Sequence, residues 1–466
     1  MAAAGAEVDV LVIGGGLAGH TAALAAAEAG AEVLMVEKQP EVGGSTVLSG
    51  GFFAFADTDL QQVRGIADSP DLLASDLEKV GGGFADTDLV RAFAEGQTEI
   101  YTWFGRHGIR FNALELSSGQ SVARSHQCDP RRVLECLGDA ARATGRFSLR
   151  CGTSAERLRR EGGEGGVTGA VIRDADGRES EVRVRGGVVM ATGGFSRSED
   201  LLKAFAPAQA KALRVGGDGN TGDGIRMGWK LGANLRDMAF VKGTFGAHPS
   251  SGGASYEILL AFYMGAIIVN GRGERFIDES LPYKTLGEAG LRQGEGINFQ
   301  ILDAKVMATS QPGVPLFDFQ RALDLGLFIV ADTVEALAEG CGMAPAALKR
   351  SLDIYNEGVR QGRDPVFGRD GLCNHTGIML TIDQPPFYAF PSTTVVLSTY
   401  CGLAFDRDCR VIDVDGEPIE GLFAAGEVTG GFHGENYMTG TGLGKAAFFG
   451  RVAGQLAARR ALGAGV

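Results

Sequence analysis

The sequence predicts an α/β fold with a parallel sheet, and two stretches near opposite ends of the 466-residue chain carry that expectation. Residues 8–38 read VDVLVIGGGLAGHTAALAAAEAGAEVLMVEK. The apolar run Val8–Ile13 suits a buried strand, Gly14-x-Gly16-x-x-Gly19 opens an alanine-rich helix running to about Ala29, and Glu32–Val36 forms a second strand ending at Glu37. Strand, glycine turn, helix, strand and an acidic residue 23 positions after the first glycine make the Rossmann dinucleotide fingerprint. The glycines let the backbone meet a pyrophosphate at the helix N-terminus, and Glu37 reaches for ribose hydroxyls, which disfavours a 2′-phosphate. The ligand is FAD or NAD.

The second stretch, residues 421–451, reads GLFAAGEVTGGFHGENYMTGTGLGKAAFFGR. Leu422–Ala425 is a short apolar run bounded by glycines, and Lys445–Arg459 has helical spacing. Seven glycines and one tyrosine stand between them. Such a backbone can approach a flat ligand closely, and a helix opening near Gly442–Lys445 aims free N–H groups and a positive dipole end at an electron-rich ring.

Composition narrows the class. The length suits two to three domains, or one large nucleotide-binding fold with an insertion. A formal charge of −13 argues against nucleic acid or an anionic membrane as partner. MAAAGAEVDV lacks a basic signal-peptide start, and the most apolar later run, residues 258–269, is too short to span a bilayer. A soluble, cytoplasmic protein is expected. Seven scattered cysteines form no metal, haem or iron–sulfur pattern, so any redox centre is an organic cofactor and no metal is expected.

Between the two ends, Gly43-Gly44-Ser45-Thr46 and Ser49-Gly50-Gly51 read as a loop laid along a long cofactor. Residues 72–112 read as helical, with Tyr101, Trp103 and Phe104 in the core. Asp129-Pro130 caps a helix after VARSHQC, and Arg124 and His126 there stay open between ligand contact and solvated edge. Short strands follow at Phe147–Arg150, Ala155–Arg160, Val167–Arg173, Glu181–Arg185 and Gly187–Ala191, the last running into Ala191-Thr192-Gly193-Gly194-Phe195. Residues 216–224 are a second glycine-rich loop feeding a helix at Ile225–Leu231. No strand precedes it, so no separate NAD(P) domain is expected. Farther on, Asn270-Gly271 is a turn, Arg275–Ile277 a short strand, and Tyr283 follows Pro282 in extended or turn conformation.

Residues 14–37, 43–45, 191–195, 221–224, 271–279 and 421–451 occur in an order and spacing that resemble the flavoprotein family holding fumarate reductases, succinate dehydrogenase flavoprotein subunits and 3-ketosteroid dehydrogenases. The resemblance covers nearly the whole chain. It implies a Rossmann-type FAD-binding domain built from both chain ends (1–242 and 399–466), with an α+β capping, substrate-binding domain (243–398) inserted between. The FAD contacts it implies start in the first turn, at Gly14, Gly16, Leu17, Ala18 and Gly19, and at Glu37 and Lys38 after the second strand. They continue through Gly44, Ser45, Thr46, Ser49, Gly50 and Gly51. Ala191, Thr192, Gly193 and Asp223 follow, and Gly426, Glu427, Gly442 and Leu443 complete the set. Relatives that hold FAD covalently use a histidine in the loop that here reads Gly44-Ser45-Thr46, so non-covalent FAD is expected.

The same resemblance implies the chemistry. In similar fumarate reductases, the glutamate matched by Glu279 is followed four residues later by an arginine of a proton-delivery chain, and that position is Tyr283. Their main catalytic arginine falls near Lys305, a carboxylate-clamping arginine on Tyr437, and one clamp histidine near Ser398. These replacements do not fit a dicarboxylate reductase. The 3-ketosteroid Δ1-dehydrogenases resemble the chain at Glu279-Ser280-x-Pro282-Tyr283, with the tyrosine as base, and at Tyr437, which with a backbone N–H of Gly440 or Gly442 holds the ketone oxygen. Their 4-dehydrogenase relatives carry a hydroxyl residue matched by Thr439. A further tyrosine of the steroid enzymes has no counterpart, since none stands between Tyr101 and Tyr256. His248, before Pro249, matches a carboxylate-binding histidine and, with Ser398 and Tyr400, completes the expected substrate contacts. The implied activity is FAD-dependent α,β-dehydrogenation of a cyclic ketone, a 3-ketosteroid or a smaller oxocyclohexane-type compound, with an external electron acceptor. The alternative is reduction of an unsaturated carboxylate.

Overall fold

The computed structural model describes residues 6–163, 165–209, 211–251, 257–294 and 296–463. Its larger sheet centres on Ala6–Ile13, which pairs in parallel with Val33–Val36 on one side and Glu179–Met190 on the other. Phe147–Arg150 extends the parallel ladder beyond Val33–Val36. On the opposite flank Pro418–Ala424 pairs in parallel with the end of Glu179–Met190, Leu422 facing Val188, so the last part of the chain completes a sheet begun by the first. The two strands expected at 181–185 and 187–191 are one 12-residue strand, and its first half also carries the antiparallel ribbon Ser154–Arg160/Val167–Arg173.

Helix Leu17–Glu28 is buried on every face through Ala27; it is mostly alanine, and the two polar residues of that span, His20 and Thr21, turn their side chains onto carbonyls of residues 16–18. One side meets the sheet and the other meets the final helix, Thr441–Ala461. Backbones come close there: a Cβ on Gly454 would stand 2.1 Å from the Ala22 carbonyl oxygen, and one on Gly450 would stand 2.2 Å from Thr21 Oγ1.

The second sheet is mostly antiparallel and is built on Phe387–Val396. Asn298–Asp303, Thr244–Ala247 and Ile329–Ala331 pair antiparallel with it, and Ile267–Asn270 adds to Asn298–Asp303. Leu213–Arg214 joins it in parallel. We propose the division 1–242 with 399–466 against 243–398 on this two-sheet arrangement; Leu213–Arg214 is the segment that crosses it.

Several local expectations change. Residues 72–112 split into Pro70–Val80 and Thr87–Arg106, each with its own side-chain N-cap, Ser69 and Asp86. Arg275–Ile277 makes only a single bridge, Val269 to Arg275. Tyr283 opens a helix, Tyr283–Leu291, instead of sitting in a turn. Two glycines hid that helix from propensity, but packing needs them: a Cβ on Gly287 would lie 2.3 Å from the Gly243 carbonyl oxygen. The run 258–269 forms a short 3-10 helix at Ala261–Met264 and leads into the strand Ile267–Asn270. Among the described residues no helix is long and apolar enough to cross a membrane, and no group of three or more metal-ligating side chains forms. All seven cysteines are free.

Gly454→Val tests the helix contact. The added side chain has no room against Ala22, so global stability should fall by about 1–3 kcal/mol, read as a lower denaturant midpoint at unchanged slope.

Candidate active site

Two adjoining cavities lie where the sheets meet. The larger, about 500 Å³, runs from the first glycine turn past residues 37–49 and 217–223 to the start of the final helix. The smaller, about 130 Å³, opens beside it, and Ser45, Ser398, Tyr400, Tyr437 and Leu443 wall both.

The first turn divides its glycines by task. Gly14 has φ +112°, and a Cβ there would be 2.3 Å from the Ala191 carbonyl oxygen; a Cβ on Gly19 would be 1.9 Å from the Gly14 carbonyl oxygen. Both are fixed by the protein's own packing. Gly16 has no protein atom closer than 3.6 Å to its missing Cβ and faces the larger cavity, so it is the position a ligand keeps bare. Glu37 braces this turn, accepting from the Gly15 N–H at 2.7 Å and the Gln39 N–H at 2.8 Å, while Thr46 Oγ1 accepts from the Leu17 N–H at 3.0 Å. Lys38 Nζ bridges Thr221 and Asp223 at 2.6 Å each, and Ser45 accepts from Asn220 Nδ2 at 2.8 Å.

Most of the expected FAD contacts wall the larger cavity: Gly14, Gly16, Leu17, Ala18, Glu37 and Lys38, then Gly44–Thr46 and Ser49, then Ala191–Gly193 and Asp223, then Gly426, Glu427, Gly442 and Leu443. Gly19 and Gly51 do not; a Cβ on Gly51 would clash with the Cys128 carbonyl oxygen at 1.9 Å, so its glycine answers to packing. Gly50 lines the smaller cavity instead. FAD fits this cleft. Thr192 Oγ1 and His433 Nδ1 are buried on its wall with no hydrogen-bond partner in the protein, which leaves them for a ligand. Thr441 Oγ1 donates to the Met438 carbonyl and therefore accepts from His433 Nε2–H at 2.9 Å, so Nδ1 is a bare acceptor. Burial, with Lys445 and Lys284 nearby, holds the imidazole neutral, its pKa well below the usual value. Burial also pulls Lys445 down to about 8. His433 and Asn220 are not among the expected contacts, though they stand inside the glycine-rich stretches 421–451 and 216–224.

Phenols dominate the smaller cavity. Tyr437 sits in the turn before the final helix and accepts from the Gly442 N–H at 3.3 Å; Tyr400 stacks on it at 4.4 Å, and Tyr283 lies 6.3 Å away between ring centres. Thr439 Oγ1 donates to the Tyr283 hydroxyl at 3.3 Å. Burial raises the pKa of Tyr437, opposed by the N–H groups of Gly442 and Gly440. Tyr283 is pushed well above the ordinary phenol value by burial and then by Tyr437, with only Thr439 pulling the other way. These neighbours keep Tyr283 protonated at neutral pH, so it can act as a base only through its minor, deprotonated form. Lys284, fully buried, donates to the Lys242 carbonyl at 3.0 Å with its ammonium 4.8 Å from the Tyr400 ring, and burial lowers it to about 7. Leu48, Phe52, Ile258, Leu260, Leu316 and Leu397 supply the apolar wall. Among the described residues no arginine, lysine or histidine lines this cavity.

Other expected residues lie elsewhere. Glu279 is locked in a buried cluster with Arg275 and Arg369, and Lys305 pairs with Thr381 and Asp383, so neither stands in the described wall of either cavity. His248 is likewise apart, its Nδ1 paired with Ser250 and its ring on Phe390. Arg124 and His126 match neither open reading: Arg124 is buried against Asp68 and Asp76, and His126 bonds Thr58 at 2.8 Å.

Gly16→Val separates ligand from packing. Because the protein leaves that Cβ room, the variant should fold with its apoprotein melting temperature unchanged and yet retain no FAD after gel filtration, read by the 450 nm absorbance per chain.

Comparison with known proteins agrees with this geometry. The family described as FAD binding domain matches residues 9–443. A probable fumarate reductase of Shewanella frigidimarina is 32% identical over 97% of this chain and 75% of its own length. The open conformation of a flavocytochrome c3 fumarate reductase superposes with a TM-score of 0.81 at 31% identity, covering 98% of this chain and 79% of that one. The 3-ketosteroid-Δ4-(5α)-dehydrogenase of Rhodococcus jostii RHA1, in complex with 4-androstene-3,17-dione, superposes with a TM-score of 0.77 at 27% identity, covering 97% of each chain. The chain thus belongs to the FAD binding domain family, together with fumarate reductases, as an FAD-dependent oxidoreductase of CH–CH groups.

Proposed function

We propose that this chain desaturates a cyclic ketone between its α and β carbons, passing the electrons to an external acceptor. One observation carries the reading: the smaller cavity offers phenols, hydroxyls and alkyl groups, with no cation among its described walls. A carboxylate buried there would lack a partner, and burying an unpaired charge is expensive. A ketone needs only hydrogen-bond donors for its oxygen. The Gly442 N–H donates to the Tyr437 oxygen, which leaves the Tyr437 proton free to donate onward to that oxygen, and this N–H stands at the positive end of a 21-residue helix.

Bound FAD supplies the hydride acceptor. The α-proton goes to the deprotonated oxygen of Tyr283, whose own proton has already passed to solvent; the electron pair it leaves is delocalised onto the ketone oxygen held by Tyr437, and the double bond forms as the β-hydrogen leaves as hydride. Ser398 and Tyr400, which wall both cavities, with Tyr400 stacked on Tyr437, would hold the substrate ring where the two cavities join. The fumarate reductases among the relatives favour the alternative, reduction of an unsaturated carboxylate; the uncharged wall speaks against it.

Tyr437→Phe should lower turnover of a cyclic ketone by roughly 10²–10³-fold with a smaller effect on KM, the loss for one oxyanion donor. Dye reduction with cyclohexanone-type and 3-ketosteroid substrates reads this, and dye oxidation with fumarate reads the alternative. Fast fumarate turnover without ketone activity would overturn the proposal.

Desaturation should also accelerate with pH. Tyr283 titrates well above 10, so its basic form grows about tenfold per pH unit through the accessible range without reaching a plateau. Tyr283→Phe should lose that alkaline rise while keeping FAD; a wild-type profile already flat at pH 8 would rule Tyr283 out as the base.

A further inference from the structure

Asn374 stands in left-handed backbone, φ 55°, ψ 36°, a conformation asparagine tolerates better than most residues. Its amide is wholly engaged by a loop more than 250 residues away in sequence. Nδ2 donates to the Ser117 carbonyl at 2.8 Å and to the Gln120 carbonyl at 2.9 Å, and Oδ1 accepts from the Gly119 N–H at 3.0 Å. Its own backbone N–H donates to the Ser280 carbonyl at 3.0 Å, three residues before Tyr283. No other side chain offers this set: aspartate lacks both donors, and glutamine is one methylene too long.

The loop that Asn374 grips in turn grips Thr439 on both sides of its peptide. The Thr439 N–H donates to the Ser118 carbonyl at 3.0 Å, and Gln120 Nε2 donates to the Thr439 carbonyl at 2.9 Å. Thr439 Oγ1 then donates to Tyr283. The contacts close a circuit: from the turn before Tyr283, through Ser280 and Asn374 to residues 117–120, to Thr439, and back to the Tyr283 hydroxyl.

We propose that Asn374 is a positioning residue, tying the segment that carries Tyr283 to the loop that carries Thr439 and so setting the alignment of their two hydroxyls. The inference rests on the reading of Tyr283 as proton acceptor. A 3.3 Å contact between two hydroxyls is already long for an O–H···O bond, so slippage of either segment breaks it.

The test is Asn374→Gly in the FAD-loaded enzyme, because glycine adopts this backbone without strain and only the amide is lost. FAD content should be unchanged, kcat on a cyclic ketone should fall by roughly 10²-fold with little change in KM, and the alkaline rise of kcat should flatten. In a Tyr283→Phe background the same substitution should cost almost nothing more, since the pair it aligns is already gone. Hydrogen exchange at the Gly119 and Thr439 amides should quicken. Asn374→Asp, which keeps the Gly119 contact and loses both donors, is the second variant and should move kcat, its alkaline rise and the Thr439 exchange in the same direction. Additive losses in the double variant, or unchanged exchange at both amides, would overturn the inference. Faster exchange in a protein whose wild type turns over no ketone would defeat the functional reading instead, reducing Asn374 to a structural tie.

Discussion

The first and last helices touch backbone to backbone, and the site depends on that contact. At Gly450 and Gly454 the final helix comes so close to residues 18–22 that a single Cβ on either glycine would collide. Van der Waals attraction between atoms this near is collectively large, and the polar ends of both helices are thereby brought to one cleft. Thr46 takes one free N–H of the first helix, while Gly440, left-handed at φ 89° and without a side-chain cap, leaves the start of the last one open. The turn from Tyr437 to Gly442 is fixed by this geometry, and with it the donors that face the smaller cavity.

Burial then sets the chemistry those groups can perform. A phenol removed from water stays protonated, a lysine sheds its charge more readily, and an imidazole between two ammonium groups stays neutral. Tyr283, Tyr437, Lys284, Lys445 and His433 each follow that rule. The smaller cavity is thus walled by hydroxyl and N–H dipoles with no full charge among its described residues, while the larger one takes the cofactor. Glu427 belongs to the same pattern: burial raises its pKa, and the Thr399 N–H and Asn220 restrain that rise.

Charged residues that look functional by type alone turn out to hold the scaffold. Arg124 with Asp68 and Asp76, and Arg275 with Glu279, Asp364 and Arg369, are buried clusters whose charges satisfy one another. Removing one member would leave an uncompensated charge in a dry interior, so such clusters persist for reasons of packing. Residue type could not reveal this, because an arginine at a ligand and an arginine inside an ion cluster look alike until their neighbours are known.

The sequence by itself determined the nucleotide fold and its cofactor end. The Gly14–Gly19 turn, the strand before it and Glu37 after it are local features, set by chain geometry over some 30 residues. The Gly421–Arg451 stretch was legible for the same reason, since glycine spacing and the helix start are local. Only the tertiary structure decided which glycine faces the ligand, because Gly14, Gly16 and Gly19 are the same residue in sequence and are told apart by backbone conformation and by what a Cβ would meet. It also decided that Tyr283 begins a helix, that His433 presents a bare acceptor, and that Glu279 and Lys305 stand away from the cavities. Each of those depends on contacts between segments distant in sequence, and spacing along the chain carries no record of them.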